Sequence, residues 1–150
     1  MGFMQVSMPI RSVSGALAIA LRLAVVGLAL ATAAIHATLG GWLFLGNAAG
    51  YTVLAVAVIA PITFLARWRW IVRAALIGFT VATIVGWLMF GPRFPLAYVD
   101  KAIELVLLAV LLAEVHIHDG GPANVLRRSV DLALGIVRSL LGYAGRGVAR

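Results

Sequence analysis

The chain has 150 residues, of which 63% are hydrophobic and 11% charged, and its mean hydropathy is +1.08. A soluble domain is about half apolar and about a quarter charged, so this composition excludes an ordinary soluble globule and calls for lipid as solvent. The chain has no cysteine, which excludes disulfides and thiolate sites, and its net charge of +7 comes from basic residues that mostly flank apolar segments, which argues against nucleic-acid binding.

Four apolar segments are long enough to cross a bilayer, which takes roughly 20 residues each. They cover residues 14–35, 42–65, 70–90 and 96–115, and Pro61 is expected to kink the second. We therefore predict an all-α fold in which residues 1–118 form a four-transmembrane-helix bundle.

The hydrophobic pattern of the sequence changes after Gly120-Gly121-Pro122. The glycines end the fourth helix, and a proline suits the first turn of a new one. Apolar residues then recur at helical spacing on a stripe that the arginines avoid, which predicts an amphipathic helix. The stripe contains Leu126, Val130, Ala133, Val137, Leu140, Leu141 and Ala144. We predict that residues 119–150 are a basic cytoplasmic tail whose C-terminal amphipathic interfacial helix contacts anionic lipid head groups, with a partner protein as its main alternative.

The basic residues predict the orientation. Arg11, Arg67 and Arg69 lie on the side of the termini, together with the arginines after the fourth span, while the other side has Arg93 and Lys101. The positive-inside rule then places both termini in the cytoplasm. Eleven arginines against one lysine, in an Ala- and Gly-rich chain, are typical of a GC-rich bacterial genome, so we predict a multi-pass protein of the bacterial inner membrane.

One alternative is that the first span is a cleaved signal peptide, because Ala31-Thr32-Ala33 has the small-x-small form of a cleavage site. Arg22 interrupts the apolar core that such a peptide needs, so we favour a membrane span.

Ionisable side chains within the spans are costly in lipid and therefore informative. Arg22, Arg73 and Glu114 all fall in the cytoplasmic half, where they are candidates for an intramembrane ion pair. A gated polar pathway is the functional alternative.

A second polar group lies at the outer end, where Asp100 and Glu104 share one helix face at i and i+4. The candidate outer polar pocket consists of His36, Asn47, Tyr51, Asp100 and Glu104. Such a pocket suits a small polar ligand, a quinone head group or a divalent cation. The alternative is a structural network in which Lys101 and Arg93 neutralise the carboxylates, and two flanking cations disfavour a metal.

The remaining histidines, His116 and His118, lie near the other end of the bundle from His36. On a helix they point about 200° apart, so they cannot grip one ion, although an extended segment would allow it. No two histidines from different helices share a depth, as axial haem ligands would. We predict no metal and no cofactor.

Gly46 and Gly50 form a Gly-x-x-x-Gly element, which lets helices approach closely in lipid. It predicts helix packing within the bundle, with other membrane protein subunits, or with a second copy in a homodimer.

Residues 36–50 (HATLGGWLFLGNAAG) and 98–104 (YVDKAIE) resemble segments of small, largely uncharacterised four-helix integral membrane proteins of GC-rich bacteria. The resemblance implies the four-helix architecture and no particular activity.

The sequence contains no nucleophile motif, phosphate-binding loop or zinc-protease pattern, so we do not expect an enzyme. The favoured hypothesis is a non-catalytic accessory or scaffold component of a membrane assembly. The alternative is a protein that binds or transports a small molecule or ion through the outer pocket.

Overall fold

The computed structural model describes the backbone of residues 10–60 and 63–147 and the side chains of residues 15–60 and 68–139. This part of the chain forms five α-helices and no strand, which confirms the all-α prediction. They are α1 (Ile10–Leu39), α2 (Trp42–Ile59), α3 (Thr63–Phe90), α4 (Pro95–Asp119) and α5 (Pro122–Gly147). The predicted domains of residues 1–118 and 119–150 also include residues 1–9, 61–62 and 148–150, which lie outside the described residues.

The predicted inner boundary of the second span is wrong. We expected residues 42–65, whereas α2 ends at Ile59 and α3 already begins at Thr63. Ala60 has φ −54° and ψ 123°, the extended conformation imposed on a residue that precedes a proline. The sequence therefore ends the helix before Pro61, where we had expected a kinked but continuous helix.

The other boundaries follow from residues with special backbone preferences. Gly40 and Gly41 have φ of 69° and 82°, a left-handed region open to glycine, and they turn the chain between α1 and α2. Phe94 is extended and Pro95 opens α4, as proline does at a first helical position. Gly120, at φ 75°, ends α4 in the left-handed conformation typical of a helix C-terminus.

The first four helices pack side by side in ring order. α1 packs against α2 and α4, and α3 packs against the same two helices from the opposite side. The buried core between them consists mainly of Val25, Ala29, Ala33, Tyr51, Ala55, Val58, Leu76, Leu107 and Leu111. This arrangement leaves much of each helix's outer surface apolar and exposed, as expected of a bundle surrounded by lipid.

Among the residues that the structure describes, three helical segments are long and apolar enough to cross a membrane: Gly15–Leu39, Trp42–Ile59 and Trp68–Phe90. These three segments are compatible with a membrane protein. α4 does not belong to this set, because charged residues recur along it. Its charged residues are Asp100, Lys101, Glu104, Glu114 and Asp119.

The buried positions of α4 follow a helical repeat. Asp100, Glu104, Leu107, Leu111 and Glu114 are all buried, and their spacing of three or four residues places them on one face towards the other helices. The opposite face carries exposed apolar residues such as Leu105 and Val106. α4 thus brings two polar layers, separated by two leucines, into the bundle interior.

α5 leaves the bundle soon after it begins. α5 contacts α3 and α4, and its Val125 is buried, whereas every side chain from residue 131 to residue 139 is exposed. The exposed apolar side chains include Leu126, Val130 and Val137 of the predicted stripe. The side chains of Leu140, Leu141 and Ala144 lie outside the described residues.

Candidate functional site

The main polar cluster lies near the end of the bundle that carries the α1–α2 and α3–α4 turns. We call it the Glu104 cluster. It consists of Thr32, His36, Tyr51, Asp100, Lys101 and Glu104, all of them buried. Thr32 and His36 are four residues apart on α1, and Asp100 and Glu104 are four residues apart on α4, so each helix presents two polar side chains on one face.

Glu104 is fully buried and both of its oxygens accept hydrogen bonds. The Tyr51 hydroxyl donates to Oε1 over 2.9 Å, and the Lys101 ammonium donates to Oε2 over 2.6 Å. The Tyr51 oxygen also lies 2.8 Å from the Thr83 hydroxyl of α3. Tyr51 therefore links three helices at the centre of the bundle.

Both carboxylate oxygens of Asp100 also have partners. The Thr32 hydroxyl donates to its Oδ1, and the Lys101 ammonium lies 2.9 Å from its Oδ2. The Lys101 ammonium consequently sits between the two carboxylates and contacts one oxygen of each.

His36 completes the cluster. Its Nδ1 lies 2.9 Å from the backbone oxygen of Thr32 and 3.6 Å from Oδ1 of Asp100. Because a carbonyl oxygen only accepts, Nδ1 carries the hydrogen in this contact. In a neutral imidazole this leaves the lone pair on Nε2, available to an external donor or cation.

A cavity of about 440 Å³ adjoins the Glu104 cluster. Its polar lining comes from His36, Asn47, Thr83, Asp100 and Lys101. The rest of its wall is largely apolar and aromatic and includes Phe44, Phe79, Trp87, Phe90 and Phe94. The volume lies within the range of small-molecule sites, and so does the combination of an apolar wall with a few polar groups.

The structure brings the predicted outer polar pocket together. His36, Asn47 and Asp100 line the cavity. Tyr51 and Glu104 are not among its lining residues, but Tyr51 donates to Glu104, which in turn accepts from the cavity-lining Lys101. Thr32 and Thr83 were not anticipated. Their hydroxyls satisfy the buried groups of neighbouring helices, and a threonine in an apolar helix carries little signal of such a role.

Arg93 does not neutralise the carboxylates, so this part of the predicted network is wrong. Arg93 is exposed, its guanidinium carbon lies 4.0 Å from the centre of the Trp87 ring, and it donates to the backbone oxygen of Leu88. The aromatic face and the free carbonyl at the end of α3 offer it partners that remain open to solvent. Lys101 is therefore the cation that contacts Asp100 and Glu104.

A second polar cluster lies about 15 Å further along α4, given ten residues of helical rise between Glu104 and Glu114. We call it the Glu114 cluster, and it consists of Arg22, Arg73, Glu114 and Asp119. The Arg73 guanidinium donates two hydrogen bonds of 2.8 Å to the Asp119 carboxylate. Both Arg22 and Arg73 also come within 3.9 Å of Oε1 of Glu114.

Glu114 differs from the other buried acids. It is fully buried, yet neither of its oxygens accepts a hydrogen bond within the described part of the chain. The predicted group of Arg22, Arg73 and Glu114 is thus assembled, but the closest partner of Arg73 is Asp119. The sequence prediction missed Asp119 because it ended the fourth span at residue 115, whereas α4 continues for another turn.

The other predicted site residues have simpler positions. His116 and His118 are exposed and lie on the helical part of α4, so they point in different directions and do not form one metal site. A methyl group added at Gly50 would lie 2.5 Å from Phe79, so this glycine allows close packing of α2 on α3. Among the described residues nothing lies within 4 Å of a methyl group added at Gly46, so the structure shows no close helix contact there, and its packing against another chain stays a prediction.

No family model, curated protein or solved structure matches the chain. The functional argument therefore depends on the geometry of the two clusters and of the cavity.

Proposed function

We propose that the protein is an integral membrane protein that binds a small molecule in the cavity beside the Glu104 cluster. The observation that carries this proposal is the cavity of about 440 Å³, whose largely apolar and aromatic wall carries a few polar groups, among them His36, Asp100 and Lys101. Such an arrangement fixes the orientation of a ligand through its polar end and shields the rest of it from water. The proposal concerns binding, and it includes no catalytic step.

We propose further that α4 is a fourth membrane span. Its 25 residues exceed the roughly 20 that a bilayer requires. The five charged residues that make it less apolar than α1, α2 and α3 are all buried among the other helices. Polar groups inside a span are tolerated when they face the bundle and pair with one another, as the two clusters do.

The proposed orientation places both termini in the cytoplasm of a bacterium, with the chain in the inner membrane. The cavity then lies at the outer side. Exposed Trp42, Phe90 and Tyr98 at that end support an interfacial location, because amphipathic aromatic rings favour the lipid head groups.

We assign α5 to the cytoplasmic membrane surface, with anionic lipid head groups as its partner. Leu126, Val130 and Val137 form an exposed apolar stripe, and Arg127, Arg128 and Arg138 lie on the remaining surface. A helix of this kind buries its apolar side at the level of the head groups while the arginines contact anionic lipid.

The binding proposal is tested by filling the cavity. Gly86 lines it, whereas Gly78 on the same helix does not, and a side chain added at either position meets no neighbour within 4 Å of its first carbon. The purified protein and its Gly86→Leu and Gly78→Leu variants are screened by thermal shift against a panel of small amines, amides, carboxylates and short-chain quinones. A compound that stabilises the wild type and Gly78→Leu but not Gly86→Leu is the expected result. If every stabilising compound acts equally on Gly86→Leu, the cavity is not the site.

A second candidate function is that of a non-catalytic accessory component of a membrane assembly. It is supported by Gly46, a glycine on the exposed surface of α2 with open space around it, where another helix would pack closely. Mild detergent extraction should then recover a stoichiometric partner with the wild type and lose it with Gly46→Leu. Recovery of a monomer or homodimer alone would contradict this second function.

A further inference from the structure

We propose that the Glu104 cluster is a binding site for a divalent transition-metal ion, which His36, Asp100 and Glu104 hold when the ion displaces the Lys101 ammonium. The inference deepens the proposed function and rests on it in one respect: the ion enters through the same cavity. It revises the expectation, drawn from the sequence, that no metal binds.

The three ligand residues are already gathered. One donor atom from each of His36, Asp100 and Glu104 lies within 4.8 Å of the others, and all three residues are buried. Two atoms bound to one metal ion at 2.0–2.2 Å are at most roughly 4.4 Å apart, so the three residues already lie near the spacing that a metal site requires.

Each ligand residue is oriented by a neighbour that uses one of its two polar atoms. The Thr32 backbone oxygen accepts from Nδ1 of His36, the Thr32 hydroxyl donates to Oδ1 of Asp100, and the Tyr51 hydroxyl donates to Oε1 of Glu104. The other carboxylate oxygens, Oδ2 of Asp100 and Oε2 of Glu104, contact Lys101, and Nε2 of His36 keeps its lone pair. Metal sites depend on supporting contacts of this kind, which fix the tautomer of the histidine and the direction of the carboxylates.

The two free carboxylate oxygens already hold a cation. The Lys101 ammonium lies 2.9 Å from Oδ2 of Asp100 and 2.6 Å from Oε2 of Glu104. An ammonium is a compact positive charge on a flexible stem, so it can occupy an ion site and leave it. Lys101 also lines the cavity, which gives its side chain space to move into.

The charge of the cluster favours this exchange. The sequence argument against a metal required two cations beside the carboxylates, but Arg93 lies on Trp87 and is not one of them. Two buried carboxylates and one ammonium leave one negative charge in excess when His36 is neutral. A divalent ion would meet this excess in a poorly solvated interior, where opposite charges attract strongly.

The donor set indicates the class of ion. One imidazole and two carboxylates suit the divalent first-row metals from manganese to zinc, with water from the cavity completing the coordination. Zn²⁺ and Co²⁺ are therefore suitable probes, the first for affinity and the second for the visible spectrum of the bound ion.

The decisive variant removes the competing ammonium. Full-length wild type, Lys101→Met and Arg93→Met are stripped of metal in detergent and titrated with Zn²⁺ by calorimetry. Lys101→Met should bind one Zn²⁺ per chain at least about tenfold more tightly than wild type, because coupling between close buried charges exceeds 1.4 kcal/mol. Arg93→Met should match wild type, since Arg93 does not contact the carboxylates. Equal Zn²⁺ affinity of wild type and Lys101→Met would overturn the proposal.

Two further variants identify the ligands. Asp100→Asn combined with Lys101→Met should lose the tight Zn²⁺ site, and His36→Gln combined with Lys101→Met should change the visible spectrum of bound Co²⁺. Unchanged Zn²⁺ affinity in the first or an unchanged spectrum in the second would place the ion elsewhere. If Lys101→Met folds poorly without metal, Zn²⁺ should restore its thermal transition, and failure to do so counts against the site.

The metal site and the small-molecule site can fail separately. Thermal shifts by the organic panel in metal-free protein test the cavity, and Zn²⁺ titration without the panel tests the ion. Panel binding without Zn²⁺ binding would remove the metal proposal and leave the proposed function standing.

Discussion

The hydroxyl of Tyr51 donates a hydrogen bond of 2.9 Å to Glu104 and so joins α2 to α4 through the interior of the bundle. Both side chains are fully buried. Glu104 in turn accepts a hydrogen bond from Lys101, which lines the cavity. The Tyr51–Glu104 contact therefore connects the packing of the helices with the position of a cavity-lining side chain.

Replacing Tyr51 by phenylalanine should destabilise the protein by about 1–3 kcal/mol, because it leaves an oxygen of Glu104 buried without its donor. Unfolding in a denaturing-detergent titration measures the change. Tyr98→Phe is the matched control, since Tyr98 is about half exposed and its hydroxyl removal should have little effect. Equal stability losses in the two variants would contradict the role given to Tyr51.

The two arginines of the Glu114 cluster should differ in importance. Arg73→Met removes a buried guanidinium that makes two 2.8 Å hydrogen bonds to Asp119. We therefore expect the free energy of unfolding to fall by roughly 3–5 kcal/mol. The Arg22 side chain is 29% exposed and lies 3.9 Å from Glu114, so Arg22→Met should cost about 1 kcal/mol or less. Denaturing-detergent titration again gives both values, and the reverse order would refute the arrangement of this cluster.

Substitutions at the two glycines of α2 should also differ in their effect on stability. A methyl group at Gly50 would lie 2.5 Å from the tip of the Phe79 ring, which has to shift, so Gly50→Ala should be less stable than Gly46→Ala by about 1–3 kcal/mol. Gly46→Ala should leave the isolated chain at least as stable as wild type, because no described residue lies within 4 Å of the added methyl group and alanine favours a helix over glycine. Thermal unfolding in mild detergent distinguishes the two variants. A destabilised Gly46→Ala monomer would contradict the open space that the structure shows at this glycine.

The orientation can be measured with single cysteines, since the chain has none of its own. Thr38 is exposed at the end of α1, and Ser139 is exposed on α5. In intact cells, a membrane-impermeant maleimide should label Thr38→Cys and should reach Ser139→Cys only after permeabilisation. Labelling of Ser139→Cys in intact cells would reverse the proposed topology.

The periodicity of apolar residues in the sequence predicts much of this structure. The five helices follow from apolar length and from Gly and Pro positions, and the i, i+4 spacing of Asp100 and Glu104 already placed both acids on one face. Contacts between helices were less predictable. The sequence offered Arg93 and Lys101 as equal partners for the carboxylates, and only the structure separates them, because Arg93 lies in the turn between α3 and α4 against Trp87. The sequence does not predict the contact of Thr32 with Asp100, because the hydroxyl of a helical threonine commonly donates to a backbone carbonyl of its own helix.

Access to the cavity tests the central claim most directly. Asn47 lines the cavity, so the maleimide should label Asn47→Cys in intact cells. Adding Gly86→Leu should slow this labelling, because the leucine fills the same space, while adding Gly78→Leu should leave the rate unchanged. A cavity open to the outer side predicts this pattern. Labelling only after permeabilisation, or an equal rate with both leucine substitutions, would contradict it.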